Sequence, residues 1–239
     1  MLYLFTSDAT LYDHLKIMTQ QHLITSLYDA GASDYETQDG HAIAADELSA
    51  WMADLSSVFD ALTPPNATAL DLGAGTGVFS RFLAKNGYAV TAVEPSAVML
   101  EQARVHPDNA HLPSINCVVG TAEQLQDLGL TGYDLITARQ SACYFADPIA
   151  TFADLRRRLN PGGRLLIIEG IWPRASWSDD ALVDALPLAC VQTRATLAYM
   201  LRSAGFECVE GDWLHRVNAH HGQTNGAAGS RYFWLVSVA

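Results

Sequence analysis

The chain is short of positive charge. It carries 14 Lys and Arg against 26 Asp and Glu, a formal net charge of -12 with histidine neutral. A phosphate backbone calls for a basic face, so this balance argues against nucleic acid as a partner. It argues against an anionic membrane surface on the same ground. Cysteine is scarce as well. Cys117, Cys143, Cys190 and Cys208 are scattered, with no Cys-x-x-Cys pair and no zinc spacing. That pattern reads as reduced thiols in a cytoplasmic protein, and no His/Asp/Glu set implies a metal. No apolar run is long enough to cross a bilayer. Met1 to Phe5 is apolar but short, has no positive start and meets Asp8 at once, so it does not read as a signal peptide. Lysine is confined to Lys16 and Lys85, a bias of GC-rich bacterial genomes. There is no internal repeat, no charge block and no Gly-Lys-Ser/Thr phosphate loop.

What the chain does have is hydrophobic content of 49% over 239 residues, enough for one sizeable core with an appendage. Its most informative stretch is Ala69-Leu70-Asp71-Leu72-Gly73-Ala74-Gly75-Thr76-Gly77. A short apolar β-prone run ends in Asp71. Gly73, Gly75 and Gly77 then allow a tight turn and close approach to a ligand. Apolar residues at 78, 79, 82 and 83 follow at helical spacing. Strand, glycine turn and helix form a cradle for a nucleotide-like cofactor. A dinucleotide loop wants its third glycine one residue later, where Val78 stands. A carboxylate such as Asp71 repels a pyrophosphate and attracts an ammonium. S-adenosylmethionine, with an ammonium, a sulfonium and no phosphate, fits this pattern best.

A second strand, Ala89 to Val93, ends in Glu94. An acid roughly 20 residues past the glycine turn accepts hydrogen bonds from ribose hydroxyls. Pro95 suits a first helical turn, and the thioether of Met99 is placed to pack on an adenine face. Further strands read at 115–119, 134–138 and 164–168. The third leads into Gly120-Thr121-Ala122-Glu123, the fourth into Arg139-Gln140-Ser141, and the fifth follows Asn160-Pro161-Gly162-Gly163.

With these parts in order, the chain resembles the class I, Rossmann-like S-adenosylmethionine-dependent methyltransferases, in the group related to the ubiquinone and menaquinone enzymes. The resemblance runs from about Tyr28 to the C-terminus. It implies an α/β fold: a doubly wound, mostly parallel seven-stranded sheet with an antiparallel last strand, plus an N-terminal helical lid. It also implies roles. The Gly73 to Gly77 turn would hold the methionine part, Glu94 the ribose, and Ala122 and Glu123 the adenine, while Ala138 and Arg139 would border the sulfonium. Many relatives carry Asp where Thr121 stands, which leaves the adenine amino contact to Glu123 or a backbone carbonyl. The segment holding Tyr28 and Tyr35 folds over the cofactor in such enzymes; the other reading of either tyrosine is helix packing.

The chain divides into residues 1–62, an N-terminal helical lid, and residues 63–239, the cofactor-binding core. In the first part Leu11, Leu15 and Met18 make one apolar stripe, and Leu48, Trp51, Met52 and Leu55 another. Thr63-Pro64-Pro65-Asn66 marks the boundary. A helix is expected over 147–159, ending in an exposed Arg156-Arg157-Arg158 run favourable at a helix C-terminus. Residues 172–190, with Trp172 and Trp177, read as a substrate-contact insertion. A helix over 193–204 precedes a final pair of strands at 206–214 and 232–238, expected as an antiparallel hairpin. The polar stretch 217–230 reads as a long loop.

Methyl transfer from a sulfonium is a direct displacement, and a base helps only when the acceptor must lose a proton. A catalytic residue is therefore not required. Arg139, Gln140, Ser141 and Tyr144 are the candidates after the fourth strand; His220 and His221 are either a base or solvent-exposed. His14 and His22 either line a lid or lie on the surface. The Arg139-Gln140-Ser141-Ala142 sequence lacks the Asn/Asp-Pro-Pro-Tyr/Phe motif of nucleic-acid N-methylating enzymes. Trp51, Trp172, Trp177 and Tyr144 point to an apolar or aromatic small-molecule acceptor, with oxygen or nitrogen as the acceptor atom and carbon third. The remaining alternatives are a cofactor-binding enzyme of the same fold with different chemistry, a non-catalytic partner protein and, last, a dehydrogenase.

Overall fold

The computed structural model describes residues 20–37, 41–59, 67–177, 180–225 and 232–239. The Leu11, Leu15 and Met18 stripe, His14 and the Thr63 to Asn66 boundary lie outside the described residues.

Strands β1 (Thr68–Leu72), β2 (Ala89–Glu94), β3 (Asn116–Val119), β4 (Tyr133–Arg139), β5 (Leu159–Gly170), β6 (Val209–Trp213) and β7 (Tyr232–Val238) form one sheet in the order β3-β2-β1-β4-β5-β7-β6. The pairings from β3 through β5 are parallel. Strand β7 runs antiparallel to both β5 and β6. Helices are α1 (20–31), α2 (Leu48–Asp54), α3 (Ser56–Phe59), α4 (Val78–Lys85), α5 (Ala97–Val105), α6 (Pro148–Arg158), α7 (Asp180–Ala185), α8 (Arg194–Ser203) and α9 (His215–Asn225). This is the expected Rossmann-like sheet.

Period-two alternation makes the sheet double-sided. In β5, Leu165 and Ile167 pack with Phe152 and Leu155 of α6 and Leu197 and Leu201 of α8. Their neighbours Leu166 and Ile168 pack on the opposite face with Trp51, Phe79, Phe82 and Trp234. All four β5 side chains are fully buried, each contributing about 1.5–3 kcal/mol. Local chemistry sets the helix starts: Asp147 accepts a hydrogen bond from Ala150 N at 3.0 Å, and Thr193 one from Thr196 N at 3.1 Å.

Strands β1 and β4 are adjacent, yet the chain leaves them towards opposite edges. Their C-terminal ends bracket a topological switch point, the crevice where such sheets bind ligands.

Several expectations are corrected. The polar stretch expected as a loop is helical to Asn225; Leu214 and Val217 are fully buried, and Asn218 closes a pair of hydrogen bonds with the Tyr232 backbone. The expected antiparallel pairing of β6 and β7 is present, with helix α9 in the connection between them. Strand β5 starts at Leu159, not after the glycines: its pairing with β4 jumps from Tyr133↔Leu159 to Leu135↔Arg164, and the intervening Pro-Gly-Gly is absorbed as a bulge. Arg158 is buried rather than exposed, bound to Asp154, the Leu130 carbonyl and Gln126. In the second apolar stripe only Trp51 and Leu55 are buried; Leu48 and Met52 are each 36% exposed, because the short helix α2 turns a narrow stripe to the sheet.

Candidate functional site

The switch point opens into a cavity of about 660 Å³. Its floor is the glycine turn. Gly73 (φ +65°) and Gly75 (φ +56°) sit in the left-handed region, for different reasons. A Cβ on Gly73 would overlap Ser141 Cβ, so β1 and β4 close here only around a glycine. A Cβ on Gly75 would approach Met99 Cε at 3.4 Å and Tyr35 Cε1 at 3.8 Å, inside the cavity. Gly77 caps α4 and does not line the cavity.

One wall is the end of β2. Glu94 Oε2 accepts from Gly75 N and Oε1 from Ser96 N, both at 2.9 Å, so the carboxylate and the glycine turn hold each other. Burial pushes the Glu94 carboxyl up to about 7, against the pull of those two N–H groups and with the help of Asp71 and Asp29. Ser96 caps α5 through Met99 N and donates to Asp29 of α1. Pro95 and Met99 complete this wall. Opposite lie Thr121, Ala122 and Glu123, on a short turn that Thr121 and Gln124 cap reciprocally.

Asp71 does not line the cavity. Its carboxylate is buried and accepts from Ser80 Oγ at 2.6 Å and Thr137 Oγ1 at 2.7 Å. Burial raises its pKa, opposed chiefly by these two hydroxyls. Each of its oxygens thus accepts one of these bonds, tying α4 and β4 to β1 behind the glycine turn. Ala138, fully buried, lies beneath the cavity rather than in its wall.

Arg139 reaches the cavity from the end of β4. Its guanidinium donates to the His41 carbonyl at 3.1 Å and lies 5.3 Å from the Trp51 ring centroid. Gln140 follows with φ +54°, a strained geometry for a residue with a side chain, and Ser141 Oγ donates to the Leu72 carbonyl at 2.8 Å. Tyr28 and Tyr35 roof the cavity, joined by Gln21 and Ile24. Tyr28 Oη donates to Tyr144 Oη at 2.6 Å.

A second cavity, of about 580 Å³, shares Tyr28, Tyr35, Gln140 and Tyr144 with the first and adds His41, Cys143, Trp172 and Trp177. The 172–190 insertion therefore does reach the site. His220 and His221 reach neither cavity. His221 Nε2 lies 2.9 Å from Glu47 Oε1, and His220 Nε2 lies 3.7 Å from Asp46 Oδ2, because α9 turns both towards the segment before α2. His22 is exposed on α1.

Sequence reasoning missed Gln21 and Ile24 of the first cavity, His41 of the second, and Glu169, which lines neither cavity and lies behind the turn after β4. Glu169 is fully buried at the end of β5 and accepts from Cys143 N at 3.3 Å. Burial pushes it up to about 8, opposed by backbone N–H groups of the turn after β4. Its signal was available, since Glu169 ends an apolar strand as Asp71 and Glu94 end theirs.

Several known proteins resemble this chain. An uncharacterized methyltransferase of Mycobacterium bovis is 37% identical over 99 residues, 41% of this chain and 38% of that protein. The ubiquinone biosynthesis O-methyltransferase of Caulobacter vibrioides is 32% identical over 100 residues, 42% of this chain and 39% of that protein. The alignments thus span well under half the length of these curated relatives. Among solved structures, phosphoethanolamine N-methyltransferase 2 of Haemonchus contortus, in complex with S-adenosyl-L-methionine, superposes with a TM-score of 0.60 at 16% identity, over 88% of this chain and 57% of that one. That likeness speaks to the fold. The family model described as a methyltransferase domain matches residues 42–211. Spanning well over half of the chain and the whole switch-point cavity wall from β1 to β5, that match makes this protein a member of the methyltransferase-domain family.

Proposed function

We propose that the chain is an S-adenosylmethionine-dependent methyltransferase that moves a methyl group to oxygen or nitrogen of a small organic molecule. The observation that carries this reading is the mutual hold of Glu94 and Gly75 on the wall of a cavity at the switch point. The residues fit the cofactor. Gly75 leaves open the space that a side chain would fill. Glu94 presents a strand-end carboxylate for ribose hydroxyls; Ala122, Glu123 and Met99 offer a slot for a flat base; the backbone at 73–75 and Arg139 face the methionine end. When bound, the cofactor supplies an electrophilic methyl group and a neutral thioether leaving group. The protein's part is to align the acceptor and exclude water. Tyr28 and Tyr35 exclude water from above, and the Tyr28–Tyr144 hydrogen bond closes the roof onto the turn after β4.

In this reading residues 1–62 are the lid and residues 63–239 the core. The Asp29–Ser96 and Tyr28–Tyr144 bonds support the division, since both dock α1 on core elements. The net charge of -12 supports a small-molecule partner rather than nucleic acid. The bacterial sources of the curated relatives support a bacterial setting, and the scattered, free Cys117, Cys143, Cys190 and Cys208 support a reducing compartment such as the cytoplasm. No helix among the described residues is long and apolar enough to cross a membrane.

Calorimetric titration with S-adenosylmethionine and S-adenosylhomocysteine tests the reading. Wild type is expected to bind both, and Glu94→Ala to weaken both by about ten-fold, the loss of one or more charge-assisted bonds. A folded wild type that binds neither overturns it. Binding without methylated product across acceptors would favour the same fold doing other chemistry.

A further inference from the structure

The second cavity has an unusual lining. Tyr28, Tyr35, Tyr144, Trp172 and Trp177 supply most of its wall. Among the described residues that line it there is no carboxylate, lysine or arginine. The described lining itself therefore offers no counter-charge to a phosphate or carboxylate on an acceptor; Arg139, which lines the first cavity, is engaged with the His41 carbonyl.

The rings stand as walls rather than as a stack. Tyr28 meets Tyr144 at 87° and Tyr35 at 69°, and Tyr144 meets Trp177 at 64°. A flat aromatic acceptor is held between parallel faces; a compact tetrahedral group is held by faces at steep angles. Aromatic faces attract cations. The phenols also stay protonated here, because burial raises the pKa of Tyr28, Tyr35 and Tyr144, so none stands ready as a base. The remaining nitrogen base of the lining, His41, packs against Tyr35 with ring centroids 4.2 Å apart and planes tilted by 33°. An aliphatic ammonium exchanges its proton with water before attack, so an amine acceptor calls for no protein base in this cavity.

We propose that this cavity is the acceptor site and takes a compact aliphatic amine, recognised through its ammonium form by Tyr28, Tyr35, Tyr144, Trp172 and Trp177. The inference rests on the methyltransferase reading above and names the class of its acceptor. The bound ammonium first gives up one proton to water, and the freed amine lone pair then forms the new N–C bond as the S–C bonding pair passes to sulfur of S-adenosylmethionine, which leaves as the neutral thioether S-adenosylhomocysteine. Positive charge moves from sulfur to nitrogen, and a proton on a primary or secondary amine then leaves to water. Tyr28, Tyr35 and Tyr144 border both cavities, so their rings accompany the charge along its path. Gln140, also shared, is held by its backbone bond to Ile168 O at 2.7 Å and marks the passage between them.

The test is calorimetry on the full chain saturated with S-adenosylhomocysteine. The probes are 2-hydroxyethyl-trimethylammonium, its uncharged carbon isostere 3,3-dimethylbutan-1-ol, and catechol. The ammonium probe is expected to bind about ten-fold more tightly than its isostere. Trp177→Leu and Trp172→Leu, which border only the second cavity, should erase that preference while leaving S-adenosylhomocysteine affinity unchanged. Equal binding of the two isosteres, or tighter binding of catechol than of the ammonium, overturns the amine assignment while the cofactor reading stands. Failure of folded wild type to bind S-adenosylhomocysteine overturns the cofactor reading and this inference with it.

Discussion

The Tyr28 hydroxyl donates to the Tyr144 hydroxyl at 2.6 Å, a bond between helix α1 and the turn after β4. Two phenols from segments 116 residues apart meet at the border of both cavities. Removing either hydroxyl unties the same contact, so the two losses are coupled. Tyr28→Phe and Tyr144→Phe should each weaken S-adenosylhomocysteine binding by about three- to ten-fold, the range of one hydrogen bond. The double variant should be little weaker than either single one. A calorimetric double-mutant cycle checks this, and full additivity would show that the bond does not hold the roof.

With Glu94 as the proposed acceptor for the ribose hydroxyls, cofactor affinity should depend on pH. Its carboxyl titrates near 7 in the unliganded protein because burial outweighs its two backbone donors. Ribose hydroxyls donate to the ionised form, so binding favours loss of the proton. S-adenosylhomocysteine affinity should rise as pH climbs towards about 7 and level off above it. Glu94→Gln should bind about ten-fold more weakly at pH 8 and show a flatter profile. Titrations between roughly pH 5.5 and 8.5, bracketing the midpoint of about 7, decide the matter.

Glu169 acts on stability instead. Its folded-state carboxyl is raised to about 8 by burial, above the ordinary glutamate value near 4.3. Between those limits the folded chain keeps a proton that the unfolded chain has lost. Stability therefore falls as pH rises through this window, and the raised Glu94 adds to the fall up to about 7. Glu169→Gln cannot ionise. Its thermal midpoint should fall less between roughly pH 5 and 8 than that of wild type. The difference should be largest at the upper end, growing by at most about 1.4 kcal/mol for each pH step of one. Thermal melts of the unliganded protein across that range measure it. Parallel curves would show that Glu169 is neutral in both states or charged in both.

The parts of the site that were legible in the sequence are those whose geometry is local. A strand, a glycine turn and a helix within 68–85 carry their own signal, as does the acid ending β2. Asp71 shows the limit. Its position could be read, but its partners Ser80 and Thr137 come from α4 and β4, and only the packed sheet shows that they take both oxygens. His41 reaches the second cavity from an irregular segment by packing its tilted ring against Tyr35, which no periodicity announces. Helix α9 was hidden by a run of Asn, His, Gly and Thr with weak helix propensity. Buried Leu214 and Val217 and the Asn218–Tyr232 bonds hold it, and these are tertiary facts.

Two glycines of one turn should fail in different ways. Each sits at positive φ, so alanine costs about 1–2 kcal/mol at either position through backbone strain alone. At Gly73 the added Cβ also overlaps Ser141 Cβ, where β1 and β4 are pinned by the Ser141–Leu72 bond. Relief there means moving strand ends, so Gly73→Ala should lower the thermal midpoint by clearly more than Gly75→Ala. At Gly75 the Cβ enters the cavity at ordinary contact distance from Tyr35 and slightly tight against the flexible end of Met99. The fold has room for it and a ligand does not. Gly75→Ala should keep most of its stability and lose most of its S-adenosylhomocysteine affinity, and Gly75→Val should lose binding altogether. Melting curves and calorimetry on the same preparations separate the two effects. Equal melting losses with equal binding would mean that the turn is shaped by backbone strain alone and that the Gly75 gap does not serve a ligand.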